Sequence, residues 1–364
     1  MKYRNLGIRE LLDYGKSKSL ICFGAGKQLL SACDAFSDMQ LFDRIDSIAD
    51  NDKNKRIFKY NGREKNVMSI EECLKIVDNE PIVLITVDDS ADIIQQLNSI
   101  TRLDSCDCFI YSFMKDYLTP YILPTNRAEN EKMKIPKTIH YCWFGGGSIP
   151  TEYLGYIESW RKYCPDYEIV RWDESNYDYK KNAYMHEAYK NKKWAFVSDY
   201  ARLDIIYQNG GVYFDTDVEL IRNIDELLCD DAFCSFENKY YVSNGSGFGA
   251  VAEFPLIHQM MSTYEKIGFY NKDGSLNLIA APHYQTELLM SMGLVINNTL
   301  QSVSGMTIYQ SDVLAPLNYR TRFLNITNNT YAIHHYAATW LNNQQNRTRC
   351  KKIQMYQSIA KVFE

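Results

Sequence analysis

The stretch from residue 194 to residue 220, WAFVSDYARLDIIYQNGGVYFDTDVEL, decides the fold of this chain. At ~100° per residue, its first part predicts a helix with one apolar face. That face carries Phe196, Tyr200, Leu203 and Tyr207. The glycine pair at 210–211 ends the helix as a C-cap does, and the apolar residues 212–214 predict a strand directly after it. A helix that passes straight into a buried strand indicates an α/β fold.

Ser198, Asp199 and Arg202 lie on an edge of the same helix that is distinct from the apolar face. Asp199 and Arg202 are separated by about 60° around the helix axis, so both side chains can reach one polar site. The alternative interpretation is an ordinary ion pair on the helix surface, worth roughly 0.2–0.5 kcal/mol.

Two carboxylates, Asp215 and Asp217, follow the predicted strand with one residue between them. Residues spaced by two point to the same side of a pleat, so the two side chains lie close together. They repel each other unless a cation lies beside them. Oxygen ligands of this kind, completed by substrate phosphates, suit Mn²⁺ or Mg²⁺. Because a D-x-D pattern also occurs by chance, the spacing alone does not establish a metal site.

The segments before this stretch also alternate between strands and helices. Strands are predicted over 138–144 and 167–172, with the glycine loop 145–147 and a helix from Pro150 to residue 163 between them, and another helix near 183–190. This alternation extends the α/β pattern over the second part of the chain.

The first 118 residues predict a separate small Rossmann-like domain with a parallel sheet. Predicted strands over 19–23, 45–49 and 82–87 alternate with helices. Gly24-x-Gly26 after the first strand is half of a dinucleotide-binding fingerprint, but Leu29 stands at the third glycine position. Both a nucleotide site and a tight strand-to-helix turn therefore stay open.

Pro120, Pro124 and Pro136 punctuate a charged stretch without apolar periodicity. We therefore predict a linker over residues 119–134 between domains at 1–118 and 135–364. A length of 364 residues agrees with two domains.

Composition and charge exclude several classes of protein. Lys and Arg number 40 and Asp and Glu 45, and the resulting net charge of −5 argues against a nucleic-acid partner. The 10 cysteines are scattered without zinc-ligand spacing, so we expect reduced thiols and a cytoplasmic protein. The N-terminal residues lack an apolar signal-peptide core, and the longest apolar run, at 82–87, is too short to span a membrane.

Four motifs occur together in a characteristic order: IPKTIHYCWFGG at 135–146, SDYAR at 198–202, GGVYFDTD at 210–217 and HHYAATW at 334–340. With them, the chain resembles the DXD-containing glycosyltransferases of sequence family 32, which include capsular-polysaccharide synthesis proteins. The resemblance covers roughly residues 135–340 and implies a GT-A type, Rossmann-like catalytic domain. Residues 1–118 resemble small FGAGK-containing domains that accompany many bacterial sugar-transfer proteins.

The resemblance implies roles for the residues around the D-x-D motif. Trp143, which follows Cys142 at the end of a strand, would stack on the nucleotide base, and Cys142 is a donor-binding candidate beside it. Tyr213 would contact the nucleotide. Asp215 would hold the ribose and a metal-bound water, and Asp217 would ligate the metal directly.

The resemblance also assigns a donor-sugar subsite. Asp199 and Arg202 would contact the sugar hydroxyls and the phosphate, with Ser198 as support. The loop 244–249, which begins with Asn244, would line the sugar pocket, although a plain flexible turn explains its glycines nearly as well.

The late segment would close over the metal and the diphosphate. His335, or its neighbour His334, is the metal-ligand candidate there, and Thr339 and Trp340 would bind the donor. A histidine pair is more often structural than ligating. His283 is a candidate on the acceptor side.

These features predict a retaining, metal-dependent hexosyltransferase that uses a nucleoside-diphosphate sugar, with a UDP-sugar favoured, in surface or capsular polysaccharide synthesis. Its acceptor would be a glycan or a lipid-linked saccharide. No unassigned acid can be placed beside the anomeric carbon, so we expect the leaving phosphate to take the acceptor's proton on the same face. The alternatives are a haloacid-dehalogenase-like phosphatase, whose nucleophile motif resembles residues 213–218, and a non-catalytic nucleotide-sugar binding module.

The last residues combine a basic run at 347–352 with apolar residues at helical spacing. One interpretation is a basic amphipathic helix that contacts the inner face of a membrane. The other, which we favour, is a final helix packed on the catalytic domain.

Overall fold

The computed structural model describes residues 1–4, 6–77, 80–114, 127–238, 240–338, 341 and 343–360. Within these ranges the chain forms two large β-sheets, both packed against helices, and one two-stranded sheet. The α/β class predicted from the sequence is confirmed.

The first sheet contains seven strands in the described residues. In chain order they are β1 (Lys2–Tyr3), β2 (Leu20–Phe23), β3 (Ser47–Ala49), β4 (Ile57–Tyr60), β5 (Arg63–Met68), β6 (Ile82–Ile85) and β7 (Asp107–Ile110). Across the sheet the order is β1-β7-β6-β2-β3-β5-β4. The neighbouring pairs are parallel except for the hairpin of β4 and β5. The predicted parallel sheet is therefore confirmed, and the hairpin adds an antiparallel edge.

Helices pack on both faces of this sheet, because the side chains of its strands alternate between two hydrophobic clusters. Leu20 and Cys22 belong to the cluster under α1 and α2, whereas Ile21 and Phe23 belong to the cluster under α4 and α5. The helices of this part are α1 (Ile8–Tyr14), α2 (Lys27–Ala35), α3 (Leu41–Arg44), α4 (Ile70–Ile76) and α5 (Ala91–Asn98).

Gly24, at the end of β2, forms a tight turn into α2. Its φ is +116°, and a Cβ atom there would lie 2.6 Å from Val87 Cγ2 and 2.9 Å from Thr86 O. Asp50 closes the turn, because its Oδ2 accepts hydrogen bonds from Ala25 N (2.8 Å) and Lys55 Nζ (2.9 Å). The structure therefore has the tight strand-to-helix turn that the sequence allows at Gly24. Nucleotide binding at this turn stays a prediction.

The second sheet carries the rest of the described strands except two. Its members are β8 (Thr138–Cys142), β9 (Glu168–Trp172), β10 (Gly211–Tyr213), β12 (Ala232–Phe236), β13 (Val242–Ser243), β14 (Phe248–Ala250), β15 (Gln301–Val303) and β16 (Met306–Tyr309). The order is β15-β16-β12-β14-β10-β8-β9, with β13 paired to β12. The remaining strands, β11 (Val218–Leu220) and β17 (Ala332–His334), pair with each other in antiparallel fashion.

Helix α9 (Trp194–Asn209) confirms the helix predicted from the opening stretch. It is buried on almost every side, and its apolar face joins the core of the second part. The other helices are α6 (Arg127–Asn130), α7 (Thr151–Tyr163), α8 (Ala183–Lys190), α10 (Pro255–Lys266), α11 (Ala281–Ser291), α12 (Ser311–Leu314) and α13 (Asn343–Ala360).

The C-terminal helix α13 packs against the first unit, which consists of the seven-stranded sheet and helices α1 to α5. Tyr356 and Ile359 are buried in the same hydrophobic cluster as Ile94 and Leu97 of α5, and Tyr356 donates a hydrogen bond to Asp89 Oδ1 (2.9 Å). The apolar face of this helix is thus covered by the first unit, so the prediction that the final helix packs on the catalytic domain is wrong for this face. Most of the predicted linker lies outside the described residues, and its described end contains the short helix α6.

Among the described residues, the helices are too short or too polar for any of them to cross a lipid bilayer.

Candidate active site

A cleft of about 910 Å³ opens at the carboxyl ends of β8 and β10. Most of the sequence-predicted site residues line it: Cys142, Trp143, Ser198, Asp199, Arg202, Tyr213, Asp215 and Asp217. Strands β8 and β10 are parallel neighbours, so the residues that follow them meet at the same edge of the sheet. The volume is in the range of pockets that hold cofactors and other small molecules.

Asp199 and Arg202 form a buried ion pair on the cleft side of α9. Arg202 Nη2 binds Asp199 Oδ1, and Arg202 Nη1 lies 3.4 Å from Asp215 Oδ2. The guanidinium also donates from Nε to Ser198 O (3.0 Å). The side chains of Asp199 and Arg202 are 8% and 6% exposed, so the alternative of a solvent-exposed surface pair is wrong.

The charge states of this pair follow from burial and proximity. Burial raises the pKa of Asp199 to about 6, with the positive charge of Arg202 opposing the shift and the negative charge of Asp215 adding to it. Burial alone would lower the pKa of Arg202, but the charges of Asp215 and Asp199 outweigh it and raise the pKa. Arg202 therefore carries a fixed positive charge at the cleft wall.

Asp215, Asp217 and His334 bring their ligand atoms within 4.8 Å of one another. Strand pairing produces this cluster, because β11 directly follows the D-x-D motif and its Val218 lies opposite His334 in β17. The backbone carbonyl of Asp217 also accepts a hydrogen bond from His335 N (2.9 Å). Two segments far apart in the sequence therefore meet at one point.

The predicted metal ligand His335 lies on the wrong side of its strand. Neighbouring residues of an extended strand point to opposite faces, so His334 faces Asp217 and His335 faces away. His335 Nε2 lies 2.9 Å from Glu219 Oε2, and its ring stacks on Tyr156 with a centroid distance of 4.3 Å. The second histidine that the sequence left open, His334, belongs to the cluster.

The electrostatics of the cluster suit a divalent cation. Burial alone would raise the pKa of Asp217, but the charge of His334 and hydrogen bonds from His334 and the Ala337 backbone lower it to about 2. Burial also raises the pKa of Asp215, with Arg202 opposing the shift and Asp217 adding to it. Two carboxylate oxygens and one imidazole nitrogen are a donor set that Mn²⁺ accepts.

Ser246 fixes the orientation of the histidine in this cluster. Its hydroxyl lies 3.0 Å from His334 Nδ1, which leaves His334 Nε2 facing Asp217 Oδ1 at 3.3 Å. A hydrogen bond on the far ring nitrogen is the usual support of a histidine that ligates a metal.

Aromatic residues form the side of the cleft that the sequence predicts to bind the nucleotide. Trp143 Nε1 donates to Gly147 O (2.7 Å), and its ring meets the edge of Tyr153 at 6.2 Å. Tyr213 donates to Asp215 Oδ1 (3.1 Å). Cys142 is buried, which raises the pKa of its thiol to about 12 and keeps it neutral. These contacts hold the Trp143 ring in one orientation at the cleft.

The glycine loop contributes Gly245 rather than Asn244. A Cβ atom on Gly245 would lie 2.5 Å from Asp215 Oδ2 and 3.1 Å from Arg202 Nη1. Asn244 is fully buried behind the loop, where its Nδ2 lies 3.7 Å from Met260 Sδ and its backbone N donates to Gln285 Oε1 (3.0 Å). The prediction that Asn244 contacts the donor is therefore wrong, because its side chain does not line the cleft.

Glu237 is a cleft residue that the sequence predictions omit. It follows β12, and burial raises the pKa of its carboxyl to about 7, although His334 and Ser243 act to lower it. No local pattern marks Glu237, since strand pairing alone brings it near His334. His283 also lines the cleft, whereas Thr339 and Trp340 lie outside the described residues.

Comparison with known proteins identifies the segment that carries these residues. Residues 150–234 match the glycosyltransferase sugar-binding region containing the DXD motif. The match includes Asp199, Arg202, Asp215 and Asp217.

Relatives of known name are similar over the same part of the chain. Inositol phosphoceramide mannosyltransferase 1 of Schizosaccharomyces pombe is 27% identical over 168 residues, which cover 43% of this chain and 51% of that protein. Inositol phosphoceramide mannosyltransferase 3 of the same yeast is 30% identical over 144 residues, which cover 38% of this chain and 40% of that protein. The chain therefore spans about half or less of the relatives it matches.

Two solved structures are similar to this chain, both with TM-scores below 0.5. The first is the PaToxG glycosyltransferase, with a TM-score of 0.36 and 19% identity, which covers 46% of this chain and 72% of that one. The second is a glycosyltransferase involved in the glycosylation of the major capsid of PBCV-1, with a TM-score of 0.32 and 9% identity, which covers 60% of this chain and 99% of that one.

Proposed function

We propose that this chain is a glycosyltransferase that moves a hexosyl unit from a nucleoside-diphosphate sugar to a hydroxyl group of a glycan or a lipid-linked saccharide. The observation that carries the proposal is the convergence of Asp215, Asp217 and His334 beside the buried Asp199–Arg202 pair in one cleft. The match of residues 150–234 to a DXD sugar-binding region supports the same class of reaction.

The three-residue cluster would hold Mn²⁺ or Mg²⁺, and its imidazole nitrogen favours Mn²⁺. When bound, the ion supplies a Lewis acid that neutralises charge on the leaving diphosphate. Arg202 would bind an oxygen of the same diphosphate, because its charge is fixed and lies beside Asp215. Asp199 would accept hydrogen bonds from sugar hydroxyls, and the fixed ring of Trp143 would stack on the base.

Retention of the anomeric configuration is part of the proposal. The reaction would proceed on one face, with the leaving phosphate taking the acceptor's proton. Glu237 lines the cleft, so double displacement through its carboxylate is the competing route. Mass spectrometry of quenched reactions distinguishes the two, because only double displacement leaves a hexosyl adduct on Glu237.

The test is a panel of UDP- and GDP-sugars incubated with the purified protein and Mn²⁺, with release of nucleoside diphosphate as the measurement. GDP-mannose belongs in the panel because the two yeast relatives are named mannosyltransferases. We expect release from one donor, and we expect EDTA or Asp217→Asn to abolish it. The matched control is Asp104→Asn, an exposed carboxylate outside the cleft, which should release nucleoside diphosphate at the wild-type rate.

Two outcomes would point to the alternatives. Phosphate release from a simple phosphomonoester without any sugar would favour the phosphatase. A thermal shift with nucleotide sugars, without hydrolysis or transfer to any acceptor, would favour a binding module.

The cellular role that we propose is surface or capsular polysaccharide synthesis at the cytoplasmic side of the membrane. In that compartment the 10 cysteines, nine of them buried, would stay reduced thiols. The exposed basic residues of α13, such as Arg347 and Lys351, would contact anionic lipid. Sedimentation with anionic vesicles tests the contact, and an unchanged sedimentation of the variant R347A/K351A would refute it.

A further inference from the structure

The cleft extends beyond the D-x-D cluster as far as the first sheet unit. Its far end is lined by Asp88 and Asp89 of that unit and by Tyr241, His283, Tyr319 and Arg320 of the second part. We infer that this far end is the acceptor subsite, that both units build it, and that it binds a saccharide whose hydroxyl groups donate hydrogen bonds to Asp88. The inference rests on the proposed function, because it names the substrate that faces the donor.

A continuous wall of rings connects this end to the D-x-D cluster. The ring of His334 lies 4.1 Å from that of Tyr336, which in turn lies 5.6 Å from that of Tyr319. Tyr319 donates to Asp88 Oδ1 (3.4 Å). A ligand at Asp88 would therefore share one wall with a sugar bound near His334, as acceptor and donor must.

The topology of the first sheet also favours ligand binding at the carboxyl end of β6, where Asp88 and Asp89 lie. The strand order reverses between β2 and β6, since the chain proceeds from β2 to one side and from β6 to the other. In open parallel sheets, ligands bind outside the carboxyl ends of the strands at such a reversal. Asp88 and Asp89 follow β6 at this position, and the second part of the chain closes over them.

The charges favour a neutral ligand with many hydroxyl groups over a phosphate. The cations at this end already have partners: Arg320 Nη2 lies 2.6 Å from Asp88 Oδ1, Lys352 binds Asp89, and Arg349 donates to Tyr336 O (2.6 Å). Arg320 and Tyr319 both bind Oδ1 of Asp88, and none of the described residues binds Oδ2, so this oxygen can accept a hydrogen bond from a ligand hydroxyl. Tyr241 and His283, whose ring centroids are 4.5 Å apart, add an apolar surface for a sugar ring.

The experiment measures glycoside binding and donor-side binding in the same protein. Wild-type protein with Mn²⁺ and UDP is titrated with p-nitrophenyl α- and β-glucosides, galactosides and mannosides, and binding is followed by saturation-transfer-difference NMR. The Kd for UDP is measured separately by calorimetry. We expect at least one glycoside to bind, and we expect Asp88→Asn to weaken it by about tenfold or more, as the loss of a charged hydrogen bond does. The UDP Kd should stay the same.

Tyr241→Ala and Asp104→Asn complete the set. Tyr241→Ala removes the ring surface and should weaken the glycoside, so it tests the subsite even if Asp88→Asn unfolds. Asp104→Asn should change neither Kd. Equal glycoside binding in wild type, Asp88→Asn and Tyr241→Ala, or no binding of any glycoside to the wild type, would overturn the inference. Failure of the proposed function is a separate result, because the wild type would then show no Mn²⁺-dependent binding of either UDP or GDP.

Discussion

His334 Nε2 lies 3.3 Å from Asp217 Oδ1, although His334 ends β17, Asp217 precedes β11, and the two residues are far apart in the sequence. The register of β11 and β17 sets this distance, and the Ser246 hydroxyl sets the orientation of the ring. Burial alone would lower the pKa of His334, but Asp217 raises it, because the carboxylate stabilises the protonated ring. A divalent cation would replace the proton of this pair.

Substitution of the two neighbouring histidines should therefore have unequal effects. We expect His334→Ala to weaken Mn²⁺ binding by at least about tenfold, because it removes a ligand, whereas His335→Ala should leave Mn²⁺ affinity unchanged. Electron paramagnetic resonance of free Mn²⁺ measures both affinities. A stronger effect of His335→Ala than of His334→Ala would contradict the arrangement in which only His334 faces Asp217.

Gly245 should tolerate substitution poorly, because it lies directly against the carboxylate of Asp215. A Cβ atom would displace the Asp215 carboxylate, which it approaches to 2.5 Å, and misplacement by that much lowers turnover on the order of 10²-fold. We expect Gly245→Ala to show this loss in nucleoside diphosphate release. Wild-type turnover of Gly245→Ala would mean that Asp215 can shift without consequence.

Gly155 supplies the matched control. It lies inside helix α7, and a Cβ atom there meets nothing within 4 Å. Gly155→Ala should leave turnover unchanged and stabilise the protein by roughly 0.5–1 kcal/mol, because it removes backbone freedom from the unfolded chain. Urea denaturation measures the stability of both variants.

The local parts of the site were predictable from the sequence, and the parts that depend on strand pairing were not. Asp199 and Arg202 share one helix, so periodicity places that pair. Asp215 and Asp217 lie in the turn between β10 and β11, so their closeness in the sequence, and not the pleat of a strand, keeps them together. The choice between His334 and His335 depends on which face of β17 meets β11, and a shift of one residue reverses it.

Other differences have equally specific causes. Glu237 reaches the cleft because β12 lies beside β14 in the second sheet. No sequence motif predicts this strand pairing. The hairpin of β4 and β5 did carry a local signal, since Asn61-Gly62 joins the two strands with positive φ angles of 46° and 74°. Our sequence predictions did not use that signal.

Stability should fall at acidic pH through His140. This residue is 3% exposed, accepts a hydrogen bond from Trp172 Nε1 at Nδ1 (3.1 Å), and lies 3.1 Å from Gly210 O through Nε2. Burial lowers its pKa from 6.5 to about 4. The unfolded chain therefore binds the proton more tightly, and stability is lost as pH falls from 6.5 towards 4, by up to ~3 kcal/mol.

The pH dependence is measured as the free energy of unfolding in urea between pH 7 and pH 4. His140→Gln should flatten the slope relative to wild type, because it removes the titrating group. His258→Gln, at an exposed position, should retain the wild-type slope. Identical slopes for wild type and His140→Gln would show that His140 does not stay neutral in the folded state.

The buried and exposed i,i+3 ion pairs of this chain should differ strongly in what they contribute. Arg202→Ala leaves the buried Asp199 carboxyl without its cation, so we expect a loss of about 3–5 kcal/mol in the free energy of unfolding. The pair of Arg161 and Glu158 has the same spacing but is 54% and 70% exposed, and Arg161→Ala should cost less than about 1 kcal/mol.

A double variant separates the loss of the attraction between Asp199 and Arg202 from the cost of leaving Asp199 buried without a cation. Asp199→Asn combined with Arg202→Ala removes both charges, so it should recover part of the stability that Arg202→Ala loses. Urea denaturation of the four proteins gives the coupling energy between the two residues. If the double variant is as unstable as the sum of the single variants, Asp199 is not left unpaired by the loss of Arg202, and another cation must reach it.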